Sequence, residues 1–345
     1  MNTLLGSVLA IMAGIMQGAF PLPMKYAIKW KWENTWCVFA LWGFVILPWL
    51  LAFMTVPDLI NVYASVSWKT LVAVTLFGAG WGIGTICFGI GVSMVGLALG
   101  LALMNGMTGA LGALIPMLLF HPEAFRTSAG QTILGGIALL MVGVCLCALA
   151  GKQKERALFS SSNNVKGNRR IGSFYKGLIV CAISGAASPM LNFAFVFGDE
   201  IVSTAETTGA TSAYASFPVW CLAMTAAFVT TLAYCLYLMR KDHGWNRYTL
   251  KGTTPYWGLT FFMGVLWSGG IALYGMGLSN LGPLAASIGW PILMIATIVT
   301  GNLCGIVTGE WKGTGRKPLL TMTAGLAVLF IAICLIGLGN APKNY

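Results

Sequence analysis

Two stretches of this chain, residues 70–120 and 252–309, contain no Asp, Glu, Lys or Arg. The hydrocarbon core of a bilayer takes about 20 helical residues to cross. Each stretch is too long for one crossing and suits two. Glycine-rich breaks stand where the chain must turn, at Gly89–Gly96 and at Gly275–Pro283, and Gly and Pro punctuate turns. Both stretches therefore read as helical hairpins in lipid. Hydrophobic residues make up 57% of the 345 and charged ones 8%, with a mean hydropathy of +0.81; a soluble domain carries about 25% charged residues. An ordinary soluble enzyme, a disordered chain and a collagen-like fibre are all excluded. The 44 glycines are scattered through apolar runs, where they let helix backbones approach closely.

The same arithmetic along the rest of the chain gives ten spans, near 3–22, 36–55, 70–91, 96–119, 129–150, 174–197, 212–238, 256–278, 282–307 and 319–339. The expected architecture is an all-α membrane protein of ten transmembrane helices. The first span lacks a basic leader and a small-residue cleavage site, so it reads as a span and not as a cleaved signal peptide. With the N-terminus outside, 17 of the 20 Lys and Arg fall in inner loops, leaving Lys69, Arg126 and Lys343 outside. That asymmetry predicts an N-out, C-out topology. It also explains the net charge of +11 without any nucleic-acid partner. The nine cysteines lie in or beside apolar runs, with no CxxC pair and no zinc-type spacing; they read as small packing residues.

The longest polar segment divides the chain into a first five-helix half (1–150), a cytoplasmic linker (151–173) and a second five-helix half (174–345). Five is odd, so the halves have opposite orientations. At an offset of 186, Gly78, Trp81, Gly84, Gly89, Gly91, Ser93 and Gly96 match Gly264, Trp267, Gly270, Gly275, Gly277, Ser279 and Gly282, and Phe88 meets Tyr274. Inverted repeats suit alternating access around a midplane site. A duplication kept for packing alone is the alternative, and the transport reading is favoured over it.

No Walker loop, HExxH or dinucleotide fingerprint is present, and no cofactor or metal is implied. No span interior carries a clear charge. A charged cargo needs a buried counter-charge, so the pattern favours a neutral polar one held by amides, hydroxyls and aromatic faces. The mid-span groups of that kind are Gln17, Trp81, Thr85, Asn105, Asn192, Trp267, Tyr274 and Trp290. For the amides an interhelical hydrogen bond is the competing role, and for a lone Trp a place in the interfacial belt. Trp30, Trp32, Trp36, Trp42, Trp49 and Trp68 read as belt or packing residues. Proton coupling needs a group that titrates during the cycle. The candidates are Glu33 and Asp199, with Glu200, Glu310 and His121 behind them; Glu33 also reads as a helix N-terminal charge. Sodium coupling through backbone carbonyls stays open.

Lys29-Trp30-Lys31-Trp32-Glu33-Asn34-Thr35-Trp36 with Ile46-Leu47-Pro48-Trp49, then Phe77-Gly78-Ala79-Gly80-Trp81-Gly82-Ile83-Gly84, then Gly309-Glu310-Trp311-Lys312 with Gly315-Arg316-Lys317-Pro318, resemble in order the motifs of the L-rhamnose–proton symporters. Thr85 stands where that family often has Asn. The resemblance implies the drug/metabolite transporter fold, a ten-helix basket of two inverted five-helix repeats. It implies a secondary active transporter of the bacterial inner membrane, not an enzyme, importing L-rhamnose or a related neutral sugar with a proton. A facilitator or exporter of another small neutral metabolite is the alternative. The sequence carries no information on oligomeric state.

Overall fold

The computed structural model describes residues 2–95, 97–161, 171–309 and 311–339, and these contain helices and no strand. Nine of the described helical segments are long and apolar enough to cross a membrane. They follow the expected spans with shifted ends. Helix α1 covers Thr3–Ala19, where the Asn2 side chain accepts from the Leu5 amide at 3.1 Å. The second span is helix α2 (Trp32–Ala40), a π-helical segment Leu41–Ile46 and helix α3 (Leu47–Thr55). Short helices α4 (Leu59–Ser65) and α10 (Asp199–Thr207) stand where loops were expected. Helix α5 covers Trp68–Val95 and α6 covers Leu97–Phe120. Within α6 the apolar stretch Met104–Phe120 falls just short of a full crossing among the described residues.

Helix α7 runs over Ser128–Ser161 and so continues past residue 150 into the expected linker. Lys, Gln, Glu, Arg, Ala and Leu dominate residues 151–158, and all favour helix. The remaining helices are α8 (Ile171–Ala187), α9 (Met190–Phe197), α11 (Phe217–Lys241), α12 (Thr254–Leu281), α13 (Ala285–Val307) and α14 (Arg316–Gly339). The seventh span starts at Phe217 and not at 212, because Pro218 sets the first helical turn and the preceding residues form turns. The second turn is tighter than the glycines suggest. Helix α5 absorbs Gly89 and Gly91, and α12 absorbs Gly275 and Gly277; the second turn is left to Gly282, at φ +77°, with Pro283 and Leu284. Gly96, Ser162–Asn164, Lys166, Arg169, Arg170, Glu310 and Lys343 lie outside the described residues.

The chain separates into two compact units, each drawing on both halves of the sequence. The first holds residues 1–83 and 190–282. In it α1 packs along α12 so closely that a Cβ on Gly6 would stand 2.9 Å from the Gly277 carbonyl oxygen. The π segment precedes Pro48, which has no N–H to donate into the helix. The Gly43 carbonyl, inside that segment, accepts instead from Ser268 Oγ of α12 at 2.9 Å. The polar turns after α1 and α11 are laced together. Lys29 Nζ donates to the Lys251 carbonyl at 2.7 Å, Arg247 to the Lys29 carbonyl at 2.8 Å and Trp30 Nε1 to the Arg247 carbonyl at 3.0 Å. Asn34 Nδ2 donates to the Gly244 carbonyl at 3.0 Å, and Lys31 pairs with Asp242 at 2.8 Å. The Lys31 ammonium holds the Asp242 carboxyl below its usual range. Elsewhere in this unit the Glu200 carboxylate accepts from the Ser67 amide at 2.9 Å, from Ser67 Oγ at 2.7 Å and from Thr70 Oγ1, closing the N-terminus of α5.

The second unit holds residues 84–189 and 283–345. Its main seam is α7 against α14, where Gly143 and Gly325 face each other. A Cβ on Gly325 would lie 3.0 Å from the Cys147 amide and 3.2 Å from the Gly143 carbonyl oxygen. The helical extension of α7 continues this seam: Thr321 Oγ1 donates to Gln153 Oε1 at 3.0 Å, and Lys154 lies over the Trp311 ring.

Candidate functional site

A continuous run of aromatic rings occupies the first unit. Trp81 and Trp267, which match at the offset of 186, stack with centroids 5.3 Å apart and planes 29° from parallel. Phe44 of the π segment meets both rings, at 5.3 and 5.7 Å. Phe20 packs edge-on against Trp267 at 5.0 Å and stacks on Phe39 at 5.1 Å. Trp36 lies 5.1 Å from Phe39 and stacks on Trp32 at 5.2 Å. Four elements supply these rings: the end of α1, the second span, α5 and α12. Ring pairs in edge-on and offset geometries contribute about 0.5–1.5 kcal/mol each beyond their buried area, so the run is a rigid wall.

Polar groups punctuate this wall. Gln17, 5% exposed, donates from Nε2 to the Trp267 carbonyl at 3.1 Å. Glu33, also 5% exposed, is the buried acidic side chain among the described residues. Its Oε1 has no hydrogen-bond partner, and neither do the buried Nε1 atoms of Trp36 and Trp267 or the buried Oγ1 of Thr231. Leaving such a group unmade costs about 1–3 kcal/mol, and nearly all buried polar groups in folded proteins are paired. The unit also has a half-open pocket of about 20 Å3 bordered by Gly43, Pro48, Trp220, Trp267 and Ser268. That volume admits a water and not a sugar.

Among the other expected contacts, Tyr274, Asn192 and Trp290 have partners of their own. Tyr274 and Asn192 are both fully buried, and the Tyr274 hydroxyl donates to Asn192 Oδ1 at 2.8 Å. Trp220 joins them, 6.0 Å from the Tyr274 ring and stacked on Phe195 at 5.7 Å. In the second unit Trp290 is 2% exposed and donates from Nε1 to the Thr108 carbonyl at 3.0 Å. Gly112 makes room for it, since a Cβ there would lie 2.3 Å from the indole nitrogen. Thr85 and Asn105 belong to the same unit and are half-buried. Of the coupling candidates, Asp199 is exposed at the first turn of α10, His121 lies 3.4 Å from Glu123, and Glu310 is outside the described residues.

Phe20, Phe39, Phe44 and Thr231 join this region without being singled out by the sequence pattern, and Trp36, expected in the belt or in packing, joins it as well. A signal existed for Trp36: it follows Glu33 by three residues, which on a helix is one face. Trp30 and Trp49 are packing residues as expected, with their indoles donating to the Arg247 carbonyl at 3.0 Å and to Thr225 Oγ1 at 2.8 Å.

With nine candidate crossings among the described residues, the chain is a multi-pass membrane protein whose aromatic wall carries one buried carboxyl, Glu33, and no group of three or more metal-binding side chains occurs among the described residues. The chain belongs to the L-rhamnose-proton symport protein (RhaT) family, whose profile matches residues 1–342. It is a transporter and not an enzyme. It is 28% identical over 329 residues to the L-rhamnose-proton symporter of Pectobacterium atrosepticum, covering 93% of this chain and 94% of that protein. It is 26% identical over 348 residues to the L-rhamnose-proton symporter of Yersinia pestis, covering 98% of each chain.

Proposed function

We propose that this protein is a secondary active transporter of the bacterial inner membrane that imports L-rhamnose, or a closely related neutral deoxysugar, together with a proton. The observation that carries the reading is the family match over residues 1–342. The site chemistry agrees with it. A deoxysugar presents hydroxyls on its edges and C–H groups on its faces. The Trp81–Trp267 pair offers indole faces for the C–H groups, and Gln17 orients Trp267 through its carbonyl. Asn192 and Tyr274 have polar atoms already engaged with each other, which suits them to hold the helices of the first unit; Trp290, bonded to the Thr108 carbonyl, does the same in the second, where Thr85 and Asn105 remain candidate sugar contacts. Glu33 is the coupling group: symport needs a carboxyl that is charged in one access state and neutral in the other. Asp199 is solvent-exposed and is the weaker candidate. Sodium as the coupled ion, or simple facilitation, has no feature of this site in its favour.

The reading includes ten spans in two inverted repeats, 1–150 and 174–345, joined by a cytoplasmic linker, with both termini outside. Support comes from the partners of matched glycines. On α5, Gly78 is backed by Ala223 of α11, while Gly84 and Gly91 are backed by Ala187 and Cys181 of α8. On α12, the matched Gly264 is backed by Trp42 and Gly43 of the second span, while Gly270 and Gly277 are backed by Ala13 and Gly6 of α1. Each third helix thus leans on the first and second helices of the opposite half, as a two-fold relation requires. Helix α6, 24 residues long, is the tenth span. The basic census of 17 inner against 3 outer residues supports the orientation.

Uptake of labelled L-rhamnose into proteoliposomes, with and without an imposed inside-alkaline pH gradient, is the test. Accumulation driven by the gradient is expected. Uptake indifferent to the gradient would remove symport, and no uptake would remove the sugar.

A further inference from the structure

Four buried polar atoms among the described residues lack partners, and all four belong to the first unit: Glu33 Oε1 and Trp36 Nε1 on α2, Thr231 Oγ1 on α11 and Trp267 Nε1 on α12. They are not scattered within it. Glu33 and Trp36 are one helical turn apart. The Trp36 and Trp267 rings flank the same two phenylalanines, lying 6.1 and 5.0 Å from Phe20 and 5.1 and 6.2 Å from Phe39. Helix α11 faces α2 here: the Trp32 and Tyr234 rings are 6.3 Å apart, and Asn34 Nδ2 of α2 reaches Met239 Sδ of α11 at 3.7 Å. Glu33 and Thr231 are 5% and 0% exposed.

The chemistry of this set is specific. An indole N–H only donates, an ionised carboxylate only accepts, and a threonine hydroxyl does either. A cation cannot accept from the indoles, and an anion is repelled by Glu33. Neighbouring hydroxyls of a neutral sugar meet all of them, since each hydroxyl accepts and donates. We propose that Trp36 and Thr231, with Glu33 and Trp267, form the hydroxyl-reading edge of the sugar site. Trp36 and Thr231 are then specificity-determining residues, and the coupling carboxyl touches the sugar itself. This inference rests on the transport reading above. It extends the site along α2, away from the Trp81–Trp267 stack.

Trp36→Phe keeps an aromatic ring and deletes the donor, and Thr231→Val keeps the shape and deletes the hydroxyl. Each is assayed in proteoliposomes with L-rhamnose and with a set of monodeoxy analogues, each lacking one hydroxyl. A site that hydrogen-bonds a hydroxyl discriminates strongly against the analogue without it. The expected result is a KM for L-rhamnose raised about tenfold in each variant, with Vmax held and with one analogue in each case whose KM the variant does not change. Thr231→Ser restores the wild-type KM. A loss equal for every sugar, or no loss, would overturn the inference while leaving the transport reading intact. A variant that does not fold is replaced by competition of the same analogues against the unsubstituted protein, where analogues of equal affinity overturn it. No L-rhamnose uptake by the unsubstituted protein overturns the transport reading and the inference with it.

Discussion

The two compact units solve the same problem, many helices of nearly uniform apolarity, in different ways. The second closes its seams. Gly143 and Gly325 bring α7 and α14 into backbone contact, and the one buried indole described above, that of Trp290, is hydrogen-bonded. The first bonds most of its polar groups but leaves four buried ones open. Its rings fill the interior, yet two indoles, a carboxylate oxygen and a hydroxyl have no partner. In lipid there is no hydrophobic drive between helices, so small residues and satisfied polar groups supply association. A unit that forgoes such bonds keeps its donors and acceptors for something else. The contrast separates scaffold from site more sharply than burial does, because Trp290 and Glu33 are equally hidden.

The contrast can be broken by substitution. Glu33→Gln has the largest expected effect: gradient-driven accumulation is abolished while sugar exchange across the membrane persists. An accumulating Glu33→Gln protein would place coupling elsewhere. Trp267→Ala comes next, with uptake reduced about 100-fold, which corresponds to about 2.8 kcal/mol of lost binding, in a protein that still purifies as a folded species. Gly325→Leu in the second unit should do the reverse, since it would press on Cys147 Sγ and on the Cys147 and Gly143 backbone, which cannot yield; overpacking of about 1–3 kcal/mol lowers the melting temperature in detergent, and whatever folds keeps its KM. Trp290→Phe removes one hydrogen bond, about 1 kcal/mol, and should lower thermal stability with the KM for sugar unchanged; a raised KM would move Trp290 into the site. The smallest effect belongs to Asp242→Asn. The Lys31 pairing lowers the Asp242 pKa from its ordinary 3.8. Its contribution is therefore complete above that pH and disappears as pH falls through the depressed value, so wild type and variant should melt alike in strong acid and differ slightly at neutral pH, less so in high salt.

Much of this was legible from residues. The absence of charge over 70–120 and 252–309 implied two helices in each stretch, and two helices cover each. Repeat spacing singled out Trp81 and Trp267, and they stack. The turn at Gly282 was placed too broadly because glycine within an apolar helix serves packing as readily as turning; Gly277 faces Gly6 and bends nothing. Trp36 was assigned to packing for a related reason. Its ring does pack, and whether its N–H finds a partner depends on α11 and α12, hundreds of residues away in sequence. Trp290 shows the converse. Its mid-span position suggested sugar, but a carbonyl on α6 already occupies its donor.

The π segment over Leu41–Ile46 has a further consequence. A helix has a reading frame, in which each residue advances the face by about 100°, and one additional residue in a turn acts as a frameshift. Everything in the second span after Ile46 is rotated relative to what the pattern before Leu41 predicts. Phe44, at the shift, reaches Trp267, while Trp49, beyond it, turns to Thr225. A single-residue deletion between 41 and 46 would keep composition and hydropathy nearly constant and still set the two ends of this span against different neighbours.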